Sequence, residues 1–143
     1  MKALRSYIAA SLVGLAACLA TVAQAQTLRD ASYHNIGRIS PNGVVRNNSQ
    51  QSIGFFDNDG TVRNRNNKAV GKVKNLAIYN TAGTRMGYIN ADGTVRDGES
   101  RVLGYIEKNG KVTDASHNVI GYAQGVAYEW VACYFSFGCF NLS

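Results

Sequence analysis

Val95-Arg96-Asp97-Gly98-Glu99-Ser100-Arg101-Val102-Leu103-Gly104 is one of six copies of a single phrase. Each copy opens on an aliphatic residue, places Asp or Asn two positions later, and closes on an apolar residue followed by Gly. The other copies occupy 28–37, 45–54, 62–71, 78–87 and 112–121. The closing glycines are spaced 17, 17, 16, 17 and 17 residues apart. Regularity on this scale marks one small supersecondary unit used repeatedly.

Between phrases lie Asn42-Gly43, Asp59-Gly60, Asp92-Gly93 and Asn109-Gly110. Such pairs accept positive φ cheaply and signal tight turns. One linker departs from the rule, with Asn75-Leu76 in a segment one residue shorter. A second polar turn falls inside each phrase, as in Asp30-Ala31-Ser32-Tyr33-His34. The runs between turns are three to six residues long and rich in Val, Ile, Tyr and Phe. Short β-prone runs broken by turns every eight or nine residues predict an all-β chain. Helices of ordinary length do not fit between them. The expected fold is a single all-β domain of six hairpin repeats of about 17 residues. The hairpins form a flower-like, propeller-like or meander array. A lone hairpin cannot bury its apolar face, whereas six around a common centre can. The near identity of Leu28-Arg29-Asp30-Ala31-Ser32 and Val112-Thr113-Asp114-Ala115-Ser116 is compatible with ends that meet.

Residues 126–143 leave the pattern and are the most apolar stretch after residue 25. They are expected to cap the array, with a short helix over 126–134 and a strand over 134–140.

Residues 1–25 read as a secretory signal. Lys2 and Arg5 precede an apolar run from Tyr7 to Ala23, and Ala23-Gln24-Ala25 supplies a cleavage pattern. The run is short for a membrane span. The mature domain is then 26–143, with repeats over about 28–125 and the cap beyond. This implies a periplasmic or extracellular protein with no transmembrane helix after signal removal. An alternative lies within the same segment: Leu15-Ala16-Ala17-Cys18 resembles a lipobox, which would anchor the chain through Cys18. Loss of Lys2 and Arg5 lowers the net charge from +6 to +4. That suits an acidic envelope surface or polymer and lacks the dense basic patch of a nucleic-acid binder. Cys133 and Cys139 remain as an even pair for an oxidising compartment, and are expected to form a disulfide.

The repeats resemble bacterial β-flower domains. The resemblance rests on the pattern Gly-Tyr-Ile-x-x-x-Gly-x-Val-x-Asp of 87–97 and 104–114, and on the tail containing Gly125-Val126, Glu129-Trp130 and Tyr134-Phe135. It covers about 28–140 and implies hairpins set like petals about an axis. It implies no established activity and no catalytic residues. The Gly-Tyr-Ile element is also similar to WG-type repeats, although Trp130 stands outside the phrases.

Catalytic patterns are sparse. Asp30, Ser32 and His34, like Asp114, Ser116 and His117, each fall within one short turn, where a convergent triad is hard to build. Such residues instead serve turns with local hydrogen bonds. Asp57-Asn58-Asp59-Gly60 starts like a calcium loop but lacks the further oxygen ligands and closing Glu. No metal or other cofactor is expected, and the chain is read as non-enzymatic. Two repeated sets are candidates for binding. Arg29, Arg46, Arg63 and Arg96 share the second phrase position, and Phe55, Tyr88, Tyr105 and Tyr122 follow the phrase glycines. They suggest a glycan, peptidoglycan or lipopolysaccharide partner. The alternative is a structural or protein-docking module that uses the apolar tail or strand edges.

Overall fold

The computed structural model describes residues 26–140. Residues 1–25, read above as a signal or alternatively a lipobox, and residues 141–143 lie outside them. Twelve short strands follow in order: β1 (Gln26–Arg29), β2 (Asn35–Ile39), β3 (Val44–Asn47), β4 (Ser52–Phe56), β5 (Thr61–Asn64), β6 (Ala69–Lys74), β7 (Ala77–Tyr79), β8 (Arg85–Ile89), β9 (Thr94–Asp97), β10 (Val102–Ile106), β11 (Lys111–Asp114) and β12 (Val119–Tyr122). Among the described residues one helix, α1 (Tyr128–Phe135), follows the strands. Each strand pairs antiparallel with its sequence neighbours, and β12 returns to β1, so the sheet closes into a ring. Six hairpins thus make one all-β unit, as the phrase spacing predicts.

The phrase explains its own turn. The Asp or Asn at its third position accepts backbone N–H bonds from residues two and four ahead, in all six copies. Asp30 Oδ1 accepts from Ser32 and His34, both at 2.9 Å. Asn47, Asn64, Asn80, Asp97 and Asp114 repeat the pattern. The sixth position must take positive φ, and Tyr33, Gln50, Asn67, Gly83, Ser100 and His117 all do. The linker turns at the opposite end use the same geometry with Gly at that position: Gly43 N–H donates to the Ser40 carbonyl, and Ser40 N–H to the Val44 carbonyl. This is a type I turn closed by a left-handed residue. The short linker takes another solution, a two-residue turn in which Asn75 and Leu76 have φ of 51° and 63°.

The apolar residue before each phrase glycine is a β-bulge. Leu28 pairs with Gly37 and Arg29 with Asn35, which leaves Ile36 unpaired. Ile53, Val70, Met86, Leu103 and Ile120 are skipped in the same way. The bulge bends each hairpin and increases its twist, which helps a sheet of three- to six-residue strands to curve into a ring. The phrase glycines lie where backbones nearly touch. A Cβ on Gly37, Gly71 or Gly104 would sit 2.2, 2.7 or 2.1 Å from the carbonyl oxygen of the residue at the second position of the next phrase. Gly121 meets the Arg29 carbonyl at 2.7 Å in the same relation, so the sixth copy treats the first as its successor.

The first phrase position and the residue two beyond each phrase glycine point inward. Leu28, Ile39, Val45, Phe56, Val62, Val73, Ile78, Ile89, Val95, Ile106, Val112 and Ala123 form a buried lining, about one per strand. A ring of eight strands can be filled by its own side chains; one of twelve is wider and needs a filler. The tail supplies it. Val131, Ala132 and Cys133 of α1 are fully buried within that lining, and the Trp130 ring stacks on Phe56 at 4.7 Å. Beyond α1, aromatic rings reach alternate phrase glycines. Added Cβ atoms on Gly54, Gly87 and Gly121 would meet Phe140, Phe137 and Phe135 at 2.2, 2.5 and 2.3 Å. The tail therefore caps the array from its centre.

The strand expected over 134–140 is not formed. The helix runs to Phe135, and the chain then turns back so that Cys133 and Cys139 form a disulfide with Cα atoms 5.4 Å apart. Closing so short a loop contributes about 2–3 kcal/mol in the chain-entropy picture. Ser136 and Phe137 N–H groups donate to the Ala132 carbonyl, and Cys139 N–H to that of Cys133. A chain folded back by such bonds cannot extend into a strand.

Candidate functional site

The two sets singled out in the sequence meet on the outer wall. On each strand the lining side chain points in, so its neighbour points out. Across the outer face, Phe55 pairs with Arg63, Tyr88 with Arg96, and Tyr105 with Thr113. Tyr122 pairs with Arg29 across the seam where the ring closes. Arg46 faces Arg38, and the short repeat brings Lys72 opposite Tyr79. Four of six pairs therefore couple a cation to an aromatic ring. All eight residues of the two sets are half-buried, and together they make a belt around the wall.

The four arginines are not free side chains. Each Nη1 donates to the carbonyl of the left-handed residue four positions on, a partner that is Tyr33, Gln50, Asn67 or Ser100. The guanidinium thus clasps the phrase turn. Its second contacts differ between copies. Nε of Arg63 donates to Asp57 at 2.7 Å and Nε of Arg96 to Asn90 at 2.9 Å. Arg29 and Arg46 make their second bonds through Nη1 as well, to Asn35 and Ser52. The aromatics are held too: Tyr88 shares a hydroxyl bond with Ser100 at 2.8 Å, and Tyr105 stacks on His117 at 4.4 Å.

Hollows interrupt the belt at two places. One, of about 240 Å³, lies at the seam and is lined by Gln26, Thr27, Arg29, Tyr33, Asn109, Tyr122 and Gln124. The other, of about 480 Å³, lies on the short repeat and includes Lys72, Lys74 and Tyr79. A third hollow, of about 340 Å³, is off the belt. It lies at the linker-turn end, where Trp130 and Glu129 face Asp57, Asp59 and Lys74. Sequence reasoning named Arg29 and Tyr122 of the seam from their repetition, but missed Trp130, Gln26 and Gln124, which belong to no repeated set.

The triad-like sets serve their turns. His34 Nδ1 lies 3.4 Å from Asp30, whose other oxygen receives the backbone bonds already described. His117 is against Tyr105 rather than a serine. Asp57 is paired with Arg63 at 2.7 Å, and Asp59 accepts from Thr61 N–H. Among the described residues no group of three or more His, Cys, Asp or Glu is placed to hold a metal ion.

Backbone donors set the acid behaviour of the turns. N–H bonds, foremost from His34, Arg101 and Asn118, hold the carboxyls of Asp30, Asp97 and Asp114 below the usual aspartate range. Bonds from Thr61 and Thr94 do the same for Asp59 and Asp92. A carboxyl that is more acidic when folded stabilises the fold above its unfolded pKa, and this is lost as pH falls through the folded value. The melting temperature should therefore hold from neutral pH to about 5 and fall below about 4. Asn47, Asn64 and Asn80 accept the same bonds without titrating. Replacing Asp30, Asp97 and Asp114 with Asn should flatten the acid limb of a melting-temperature profile; an unchanged limb would place the acid sensitivity elsewhere.

Among the described residues no helix is long and apolar enough to cross a membrane, and the disulfide fits an oxidising compartment. Comparison with curated proteins and with solved structures found no match. A family described as 5-fold beta-flower protein matches residues 19–138. This ring has six phrase turns at one end and five linker turns at the other, because β12 and β1 meet at the seam without one. The match spans most of the chain, and the closed ring of hairpins accords with it: the chain belongs to the 5-fold beta-flower protein family.

Proposed function

We propose that this is an exported, non-enzymatic protein that binds a repetitive envelope or extracellular polymer, such as a glycan, peptidoglycan or lipopolysaccharide, along its outer belt. The observation that carries the reading is the recurrence of cation–aromatic pairs at equivalent places on the wall. Neighbouring strands are about 4.8 Å apart, so equivalent pairs lie roughly 10 Å apart, on the scale of two sugar units. A row of weak sites at such spacing suits a linear polymer, because engaging one site raises the effective concentration at the next. Aromatic rings offer faces for the apolar side of a pyranose, and arginines offer donors to hydroxyls or anionic groups. The export signal read from 1–25, the oxidising compartment and the net charge of +4 on the mature chain point the same way.

Docking through the tail or strand edges has less support. The apolar side chains of 126–140 pack inside the ring, and β1 and β12 pair with each other.

The test is retention of residues 26–143 on purified peptidoglycan, lipopolysaccharide and a glycan panel at low and high salt. Retention should weaken with salt. It should drop about tenfold or more in the Arg46→Ala, Arg63→Ala, Arg96→Ala triple variant, provided its melt remains cooperative. Absence of retention on every matrix, or retention untouched in the folded triple variant, would overturn the reading.

A further inference from the structure

The belt is not uniform, and its exception is the seam. At five places a linker turn joins the two strands of neighbouring phrases and fills the end of the wall. Between β12 and β1 there is no such turn, and one residue pair, Arg29 with Tyr122, closes the sheet. After Ala123 the chain passes Gly125, at φ 81°, and heads into the ring. A cleft of about 240 Å³ lies along this seam.

Its lining differs from the belt at Arg63 and Arg96 in one chemical respect. Nη1 of Arg29 is fully engaged, donating to the Tyr33 carbonyl and to Asn35 Oδ1. The guanidinium also lies over the Tyr33 ring, 4.4 Å from its centroid, and that ring meets Tyr122 edge-on at 4.9 Å. These contacts fix the plane of the guanidinium. They leave the Nε–Nη2 edge without a partner among the described residues. On Arg63 and Arg96 the same edge is taken by Asp57 and Asn90. Arg46 also keeps it open, but lines none of the three hollows described and faces Arg38. An Arg edge with two parallel N–H donors matches a carboxylate. Around it stand an aromatic ring, Tyr122, and three polar ends, on Gln26, Thr27 and Gln124, that make no side-chain hydrogen bond among the described residues.

We propose that the seam cleft binds a carboxylate-bearing pyranose, of uronic acid type, with the carboxylate on the Nε–Nη2 edge of Arg29 and the sugar face on Tyr122. The amides of Gln26 and Gln124 receive the hydroxyls. This deepens the polymer-binding reading and rests on it: the seam selects an acidic sugar unit, while the remaining belt supplies length-dependent avidity.

The experiment uses residues 26–143 with glucuronic acid, glucose and acetate as separate probes, followed by heteronuclear NMR titration. Glucuronic acid should shift the amides of Arg29, Tyr33, Tyr122 and Gln124. Glucose and acetate should each bind at least about tenfold more weakly, since each lacks one half of the recognition. Arg29→Lys, which keeps the charge and loses the fork, should weaken glucuronic acid about tenfold, and Gln124→Ala severalfold. Arg63→Ala should weaken polymer retention while leaving glucuronic acid binding in place. Equal binding of glucose or of acetate, shifts away from the seam, or no binding of glucuronic acid would overturn the seam assignment. If polymer retention and its loss in the triple Arg variant persist in that case, the belt reading stands and the seam proposal alone falls.

Discussion

Replacing Gly104 with Ala should destabilise the ring by about 3 kcal/mol or more and lower its melting temperature by roughly 10–15 °C. Gly104 does not have positive φ, so the cost is purely steric. The new methyl would lie 2.1 Å from the Thr113 carbonyl oxygen and 3.2 Å from its carbon. That carbonyl belongs to β11, which is tied to β10 and β12 on either side. Relief requires moving a strand, and a closed ring passes the shift to its neighbours. Gly83 is the matched control. It has φ of 85° and nothing within 4 Å of a built Cβ. The same turn position holds Tyr33, Gln50, Asn67, Ser100 and His117 in the other copies. Gly83→Ala should cost about 1 kcal/mol, the usual penalty of a left-handed L-residue. Chemical denaturation of both variants checks the pair. Equal effects would mean that the phrase glycines are held for conformation, not for close approach.

Ending the chain after Gly125 should abolish cooperative folding. The ring lining would keep its twelve inward side chains but lose Val131, Ala132 and Cys133, which fill the centre, and the Trp130 ring on Phe56. Full burial of a large apolar side chain is worth about 1.5–3 kcal/mol, so loss of this filler together with Phe135, Phe137 and Phe140 is comparable to the whole 5–15 kcal/mol by which domains of this kind are stable. The truncated chain should show no sharp thermal transition and should bind a hydrophobic dye. A cooperative melt close to that of the full domain would show that the hairpins hold their ring without a filler. Cys139→Ser is the graded companion: it opens the loop without removing the filler and should leave a folded ring.

The contrast between these two predictions shows what was legible in the sequence. The turns are local, and the phrase carries its own chemistry. The Asp or Asn at position three and the left-handed residue at position six lie within five residues of each other, so the hairpins could be read directly. The inward lining follows the same phrase, but it came only with the register, in which β-bulges recur at one place and keep the alternation in phase. Even the arginine clasp has a fixed signature, four residues from donor to carbonyl. The seating of Phe135, Phe137 and Phe140 on Gly121, Gly87 and Gly54 depends on where a helix lies inside a closed ring, and no spacing in the chain encodes that. Aromatic residues over 134–140 suggested a strand, whereas the disulfide and the bonds to Ala132 bend that segment back. The belt residues were named from repetition alone. Their cross-strand partners came only with the register, and the seam cleft came only from ring closure.

The most direct measurement of the central claim is an amide-shift map of residues 26–143 titrated with a soluble oligosaccharide from any polymer that retains the protein. The account predicts shifts along the outer wall, at Arg29, Phe55, Arg63, Tyr88, Arg96, Tyr105 and Tyr122, that grow with oligosaccharide length. Shifts confined to the linker-turn end around Trp130 and Asp59, or none at saturating ligand, would contradict it.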